Sequence, residues 1–260
     1  MKATITEMHS IKDAIRTLYM SKRSWNQSID DTVDTALGYF ADKSGRINWH
    51  WINDAVGHAD THHDRVTQSG VKIKDMIDKL FKWGQKHTTM LRFLDVSVVV
   101  EGLHRGATDD FDAHAKRLEN RIIRSSTRLA DYTTEEMSDW YNGKIIPTDT
   151  ALSIVGMELP DEINYNGVEY VRSTNGYIVK GMEDNRDVKR GLYMLSLPMT
   201  FTFKVNIVEL AHIYRERGTK AGGANGTAAP ELQEMMEQLM DQLEEWYPQL
   251  TREYLLGIRN

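Results

Sequence analysis

The chain has 260 residues, of which 40% are hydrophobic, and 38 acidic against 32 basic residues give a formal net charge of −6. This composition supports a real core and argues against a disordered chain, and the net negative charge gives no general attraction to nucleic acid. The sequence contains no cysteine, which excludes disulfides, thiolate metal sites and every mechanism with a cysteine nucleophile. No apolar run approaches the roughly 18–20 residues of a membrane span, and no signal-peptide core is visible at the start. We expect a cytoplasmic protein without a membrane or nucleic-acid partner.

Helical periodicity dominates the first third of the chain. Apolar residues recur at helical spacing over residues 8–20, 29–40 and 71–83, which predicts three helices with one buried face each. Gly84 follows the third segment at the position where a helix often ends on a left-handed glycine.

The hydrophobic period changes after Gly84. Residues 91–100 form a short run that ends in β-branched valines, which predicts a strand. Thr108 is placed as the N-cap of a long helix over residues 109–128, because acidic residues follow it at once.

Turn and breaker residues organise the rest of the chain. Two Asn-Gly pairs, at 166–167 and 175–176, are flanked by Val, Tyr or Ile and predict a small β-meander at about residues 150–181. Residues 218–229 are rich in glycine and are predicted to be a loop. Pro230 then suits the first turn of a long final helix. Together the elements predict an α+β fold in one compact domain.

Four histidines fall within residues 50–63, at positions 50, 58, 62 and 63. His58 and His62 would share one face of a helix, as metal ligands often do. Their spacing matches no established zinc motif, and surface or capping histidines explain the cluster equally well. We therefore assign no metal ligands, although a metal site here stays open.

A basic cluster occupies residues 116–128. Its arginines are spaced four, three and four residues apart, so that on a helix they would share one face: Arg117, Arg121, Arg124 and Arg128. Four like charges on one face repel one another unless carboxylates or phosphates neutralise them. Acidic residues at 109, 110, 112 and 119 could neutralise part of this charge. A solvated amphipathic face and an anion site, most naturally for phosphate, both remain open.

In this order the elements resemble the flavin-dependent thymidylate synthase family (ThyX). The family signature is approximately R-H-R-x-x-S-x-N-E-x-S-x-R-Y, and the corresponding residues 116–129 retain its S-x-R end as Ser126-Thr127-Arg128. The Asn-Glu pair of the signature becomes Ile123-Arg124, and the closing Tyr becomes Leu129. These departures affect groups that the family is thought to use on the nucleotide.

Two further segments are similar to ThyX motifs, so that the resemblance covers roughly residues 71–250. Residues 82–89 resemble K-x-G-H-x-[ST] and lack the P-x-E-H that follows in the family. Downstream, Leu197-Pro198 and Val205-Asn206 resemble L-P-x-x-x-x-[TS]-R and V-N-x-R-S-L-x-x-F-L-x-L-R. Arg217 falls at the final Arg of the second motif, and Lys204 is a candidate for the Arg of the first.

The resemblance implies a fold and a reaction. The fold would be a small central antiparallel sheet with long helices, a helical N-terminal extension over residues 1–70 and a ThyX-like domain over residues 71–260. In the reaction, FAD would mediate methylation of dUMP to dTMP, with methylenetetrahydrofolate as the folate co-substrate and NADPH as the reductant. A chain without cysteine can follow this route, because it needs no thiol. Family members are homotetramers whose sites are shared between subunits, so the resemblance implies a homotetramer here.

By motif position, the resemblance assigns catalytic contacts with the nucleotide to Ser126 and Arg128. The full set implied for substrate binding is Arg117, Arg121, Arg124, Ser126, Arg128 and Lys204, and the set implied for the flavin is His87, Thr89, His212 and Arg217. Three hypotheses follow: a divergent, phage-like or episomal synthase; a relative that hydroxymethylates another pyrimidine nucleotide; and a non-catalytic nucleotide- or anion-binding homologue. The role of residues 1–70 stays open among them.

Overall fold

The computed structural model describes residues 1–112, 121–125, 141, 143–173, 175–185, 188, 191–192, 195–218 and 229–258, and it describes 121 and 122 by their backbone alone. The helices in these ranges are α1 (Ile11–Ser21), α2 (Gln27–Phe40), α3 (Trp49–Gly57), α4 (Arg65–Gly84), α5 (Arg105–Asp112), α6 (Thr148–Ile154), α7 (Ile207–Arg217), α8 (Pro230–Trp246) and α9 (Arg252–Gly257). The strands are β1 (Lys2–His9), β2 (Asp95–His104), β3 (Arg121–Arg124), β4 (Glu162–Tyr165), β5 (Val168–Ser173), β6 (Gly176–Val179) and β7 (Pro198–Asn206). A 3₁₀ turn, Thr88–Phe93, connects α4 to β2.

The strands form two sheets. A four-stranded sheet has the order β1-β2-β7-β3, and a three-stranded sheet has the order β4-β5-β6. The smaller sheet is an antiparallel meander, as the Asn-Gly pairs predict. Its first turn contains Asn166 and Gly167 at φ 52° and 79°, the left-handed values that a two-residue hairpin turn requires.

Strands β2 and β7 run in opposite directions. Near one end of β7, Arg105 N donates to Leu197 O over 2.8 Å, and further along the strand Thr202 Oγ1 donates to Val98 O over 2.9 Å. As residue numbers increase along β7, those of the facing residues in and next to β2 decrease, which is the antiparallel pattern. The α+β prediction is confirmed by these elements.

The chain divides into two compact units. The first comprises Met1–Lys2, Val100–Ala113 and Ile123–Phe201, and its core includes the Phe111 and Phe201 rings, whose centroids lie 5.6 Å apart. The second comprises Ala3–Val99, His114–Ile122 and Thr202–Asn260. Its core contains the buried faces of α1, α2, α4, α7 and α8. The single compact domain expected from the sequence stays a prediction.

Two predictions for residues 108–128 differ from the structure. The long helix over residues 109–128 is wrong, because α5 ends at Asp112 and residues 121–124 form β3. Ser125 N donates to Thr200 O over 2.8 Å, so pairing with β7 extends this segment beside the sheet, and adjacent β-branched isoleucines favour that state. Thr108 is not an N-cap either, since it lies inside α5, and its hydroxyl donates to His104 O over 3.1 Å.

Candidate functional site

A cavity of about 410 Å³ lies between the C-terminal end of α1 and the 3₁₀ turn that follows α4. It brings together His87 and Thr89, two of the four residues that the sequence assigns to a cofactor. The complete lining is Thr17, Ser21, Lys22, Trp83, His87, Thr89 and Met90. A cavity of this size accommodates one aromatic ring system with its polar substituents.

Gly84 allows the chain to fold back and form this cavity. A Cβ atom at position 84 would lie 2.6 Å from Cγ of Leu91, a side chain with no exposed surface. The turn is tightened by two backbone hydrogen bonds, in which His87 N donates to Trp83 O and Met90 N donates to His87 O. Gly84 is the last residue of α4 and has no positive φ. The predicted left-handed cap is therefore wrong, and the glycine is required for close packing instead.

Two parallel rings and one cation meet at the cavity. The Trp83 and His87 rings are stacked with centroids 5.9 Å apart and planes 19° apart. Lys22 Nζ lies 4.6 Å from the centroid of the Trp83 ring, a cation–π distance. Trp83 is 40% exposed, so it is available for contact. This arrangement can take a flat aromatic group that carries an anionic substituent.

Sequence reasoning missed Lys22 and Trp83. A signal existed for Trp83, because it lies four residues before His87 in the same family-like segment, residues 82–89. No local signal marks Lys22, which reaches the cavity from α1, a separate helix.

Helix α7 carries the other two residues assigned to a cofactor, His212 and Arg217. The helix begins at the Val-Asn motif, where Asn206 Oδ1 accepts a hydrogen bond from Glu209 N over 2.9 Å. His212 is half-buried. Arg217 Nε is buried and has no hydrogen-bond partner among the described residues, which leaves a donor for a ligand. Neither residue is in the lining of the cavity beside Trp83.

Lys204, a predicted phosphate ligand, has a carboxylate beside it. Its Nζ lies 3.3 Å from Asp95 Oδ2, and both side chains are about one-third exposed. Lys204 is on β7 and Asp95 is on β2, its neighbour in the sheet. The pair reduces the positive charge that Lys204 can offer, and its role toward a phosphate stays a prediction.

Arg124 is neutralised by carboxylates of α5. Its guanidinium donates to Asp109 Oδ1 over 2.5 Å and to Asp112 Oδ2 over 2.9 Å. For this residue the structure therefore favours carboxylate neutralisation over an anion site. Arg117, Ser126 and Arg128 lie outside the described residues, as does the side chain of Arg121. The helical face on which the four arginines were placed is wrong, because 121–124 is a strand.

The sequence matches one protein family over nearly its whole length. The Thy1 family, described as thymidylate synthase complementing protein, matches residues 3–249. The chain belongs to this family, which is the ThyX family. ThyX proteins are enzymes, and the predictions of the family and of an enzyme are confirmed. No curated protein sequence matches the chain significantly.

Solved ThyX structures have the same fold. The flavin-dependent thymidylate synthase ThyX from Helicobacter pylori, complexed with FAD and dUMP, has a TM-score of 0.52 and 11% identity over 100% of both chains. A second Helicobacter pylori ThyX structure with FAD and dUMP has a TM-score of 0.50 and 12% identity, over 98% of this chain and 100% of that one. The UMP/dUMP methylase PolB from Streptomyces cacaoi, bound with 5-Br dUMP, has a TM-score of 0.51 and 8% identity, over 99% and 95%. The predicted fold class is thereby confirmed.

The ThyX match also includes residues 3–70, where the sequence shows no family motif. This part of the chain contains β1, an outer strand of the four-stranded sheet, and α1, which is followed directly by Lys22 of the cavity lining. Residues from the N-terminal segment therefore take part in building the candidate cofactor site.

Among the described residues, no group of three His, Asp or Glu side chains could hold a metal ion.

His104 is a buried histidine that the sequence did not single out. It is 4% exposed and packs edge-on against Tyr141, with ring centroids 4.7 Å apart.

No helix in the described ranges is both long and apolar enough to span a bilayer.

Proposed function

We propose that this chain methylates dUMP to dTMP, using FAD, with methylenetetrahydrofolate as the one-carbon donor and NADPH as the reductant. The observation that carries the proposal is the cavity in which His87 and Thr89 meet Trp83 and Lys22. Family membership and the FAD and dUMP named for the Helicobacter pylori structures support it. Without cysteine, the chain has no thiol with which to activate C5 of the pyrimidine.

The cavity residues fit part of a flavin dinucleotide. A flat ring of FAD can stack against the exposed Trp83 and His87, and the Lys22 ammonium can bind a phosphate oxygen. Arg217, whose Nε has no hydrogen-bond partner within the described part of the chain, and His212 are proposed as further flavin contacts. When bound, the flavin supplies the hydride that reduces the transferred one-carbon unit to a methyl group.

The nucleotide is proposed to bind through Ser126 and Arg128. Ser125 precedes them and is tied to β7, because its N–H donates to Thr200 O and its hydroxyl accepts from Thr200 N. Ser125 is thus held beside β7. Arginine guanidiniums suit both roles that the reaction needs, binding of the phosphate and polarisation of the uracil carbonyl.

The other substrate residues take different parts in this proposal. Arg117 and Arg121 remain candidates for the phosphate, and Lys204 is a weaker one because Asp95 lies beside it. Arg124 is a positioning residue, since its pairs with Asp109 and Asp112 hold β3 against α5. We further propose a homotetramer and a ThyX-like domain over residues 71–260, with residues 1–70 as a divergent segment that is mainly helical after β1.

A second candidate reaction is hydroxymethylation at C5 of a different pyrimidine nucleotide. It is favoured by Arg124, which stands where the signature has Glu and is occupied by two carboxylates of its own chain. A glutamate and an ion-paired arginine cannot make the same contact with a base. The mass of the product distinguishes the two reactions.

Flavin binding tests the proposal. The purified protein should be yellow and should release FAD on denaturation. Trp83→Ala and Lys22→Met should each raise the Kd for FAD about tenfold, because each removes a contact worth about 1–2 kcal/mol. Trp51→Ala and Lys43→Met are matched controls, since these exposed residues lie outside the cavity. A protein that binds no flavin would contradict the proposal.

A further inference from the structure

A second cavity, of about 550 Å³, opens where α2, α3 and the start of α4 meet. The proposed methylation uses none of its residues. Aromatic rings form its walls, and carboxylates and imidazoles stand among them. The residues on which its chemistry depends are Tyr39, Trp51, Asp54, His58, His62 and Asp64.

Close helix packing fixes the inner wall of this cavity. A Cβ atom at Gly70 would lie 2.8 Å from Cβ of Ala55 and 3.2 Å from Cζ of Phe40, so the glycine lets α4 approach both α2 and α3. Phe40 and Ala55 line the cavity and are themselves buried. Because these contacts allow little movement, the inner wall of the cavity is rigid.

The rings that line the opening are accessible. Trp51 is 55% exposed and Tyr39 is 38% exposed. Exposed aromatic faces attract cations through the ring quadrupole, and Trp does so most strongly. The His58 and His62 rings lie edge-to-face with centroids 5.5 Å apart.

The fixed charges of the lining are negative. Asp54 and Asp64 are its carboxylates, and no Lys or Arg is among the described residues that line it. Hydrogen bonds from the backbone and hydroxyl of Thr67 hold the pKa of Asp64 below its usual value, so it is ionised at neutral pH. Asp54 Oδ1 lies 3.6 Å from His58 Nε2, and its side chain is 69% exposed, so a ligand can reach the carboxylate.

We propose that this cavity binds a small organic cation, in which a guanidinium or ammonium group is joined to an apolar body. The carboxylates would pair with the charge, and Trp51 and Tyr39 would cover the apolar part. A bare metal ion fits less well, because a metal has no use for aromatic walls and the described residues offer no three-ligand group.

Phenylguanidine and phenylurea test this proposal, because they have similar shapes and differ in charge. In isothermal titration calorimetry at pH 7.5, phenylguanidine should bind with 1:1 stoichiometry and at least tenfold more tightly than phenylurea. N-acetyl-argininamide, titrated in parallel, represents a guanidinium borne by a protein, and the tighter ligand identifies the source. Equal affinities for the charged and the neutral compound would overturn the proposal.

Variants connect the binding to this cavity. Asp54→Asn and Trp51→Ala should each weaken phenylguanidine binding at least fivefold, and both side chains are exposed enough that folding should be retained. Asp60→Asn is the matched control, because it removes the same charge from a neighbouring exposed position outside the lining. If Asp60→Asn weakens binding as much as Asp54→Asn does, the interaction is a general charge effect and the proposal fails.

Discussion

Substitution of Gly84 by alanine should destabilise the protein, although alanine is the better helix former. The gain in helix propensity is at most about 1 kcal/mol. Against it, the new Cβ would lie 2.6 Å from Cγ and 2.8 Å from Cδ2 of Leu91, which is fully buried and cannot move aside freely. Overpacking of this kind costs about 1–3 kcal/mol. We expect a net loss of about 1–2 kcal/mol in the free energy of unfolding.

Gly38→Ala is the matched control for this substitution. Gly38 is an exposed residue of α2, and among the residues that the structure describes, none outside the local helix backbone would lie within 4 Å of a Cβ atom added there. Alanine there should stabilise the protein by about 0.4–1 kcal/mol. Urea unfolding followed by far-UV circular dichroism measures both variants. If Gly84→Ala is as stable as the wild type, Leu91 yields to the new methyl group and the packing argument for the cavity is wrong.

Three further substitutions test ion pairs. Arg16→Gln should raise the pH at which acid unfolds the protein, because the hydrogen bond from Arg16 lowers the pKa of Asp30. The stability from that pair is present at neutral pH and is lost as the pH falls. Lys12→Gln, which breaks an exposed ion pair with Asp34, should change the midpoint of acid unfolding less. Arg124→Gln should lower the free energy of unfolding, measured by urea titration, by about 0.5–1 kcal/mol and leave KM for dUMP almost unchanged. Arg128→Gln should raise KM for dUMP and leave the free energy of unfolding almost unchanged. If Arg124→Gln raised KM more than Arg128→Gln does, Arg124 would be a nucleotide-binding residue after all. Arg252→Gln removes the ion-pair partner of Glu237, Asp241 and Glu244 and should lower the free energy of unfolding by about 1–2 kcal/mol. The loss should be smaller in ~1 M salt, which screens these charges. A loss that does not depend on salt would contradict this.

Local patterns predicted much of the fold. The Asn-Gly pairs predicted the meander because a turn is decided by the residues within it. Pro230 likewise marked the start of α8, and the apolar stripe that follows is buried. The segment at 121–124 was wrongly assigned to a helix because its partner, Thr200, lies 75 residues away from Ser125. Helical spacing alone cannot show that pairing to a distant strand will decide the local conformation.

The candidate site was predictable where a motif marked it. His87 and Thr89 were found because they follow a helix in a family-like segment, and the structure places both in one cavity. Lys22 was not found, since it comes from another helix and the packing of α1 beside the 3₁₀ turn determines its position. Gly84 was singled out as a helix cap and not as a packing residue, because the sequence does not show that Leu91 will pack against it.

The most direct test is to incubate the purified protein with FAD, NADPH, methylenetetrahydrofolate and dUMP and to identify the nucleotide product by mass spectrometry. We predict that dTMP forms, and that its formation stops when FAD, the folate or NADPH is omitted. Loss of dTMP in the Trp83→Ala variant at limiting FAD, with recovery at excess FAD, would connect the reaction to the cavity. If dUMP stays unmodified but another pyrimidine nucleotide, supplied in its place, gains a hydroxymethyl group at C5, the second candidate replaces the proposed reaction. A protein that binds no FAD and leaves dUMP unchanged would contradict flavin-dependent modification of the nucleotide.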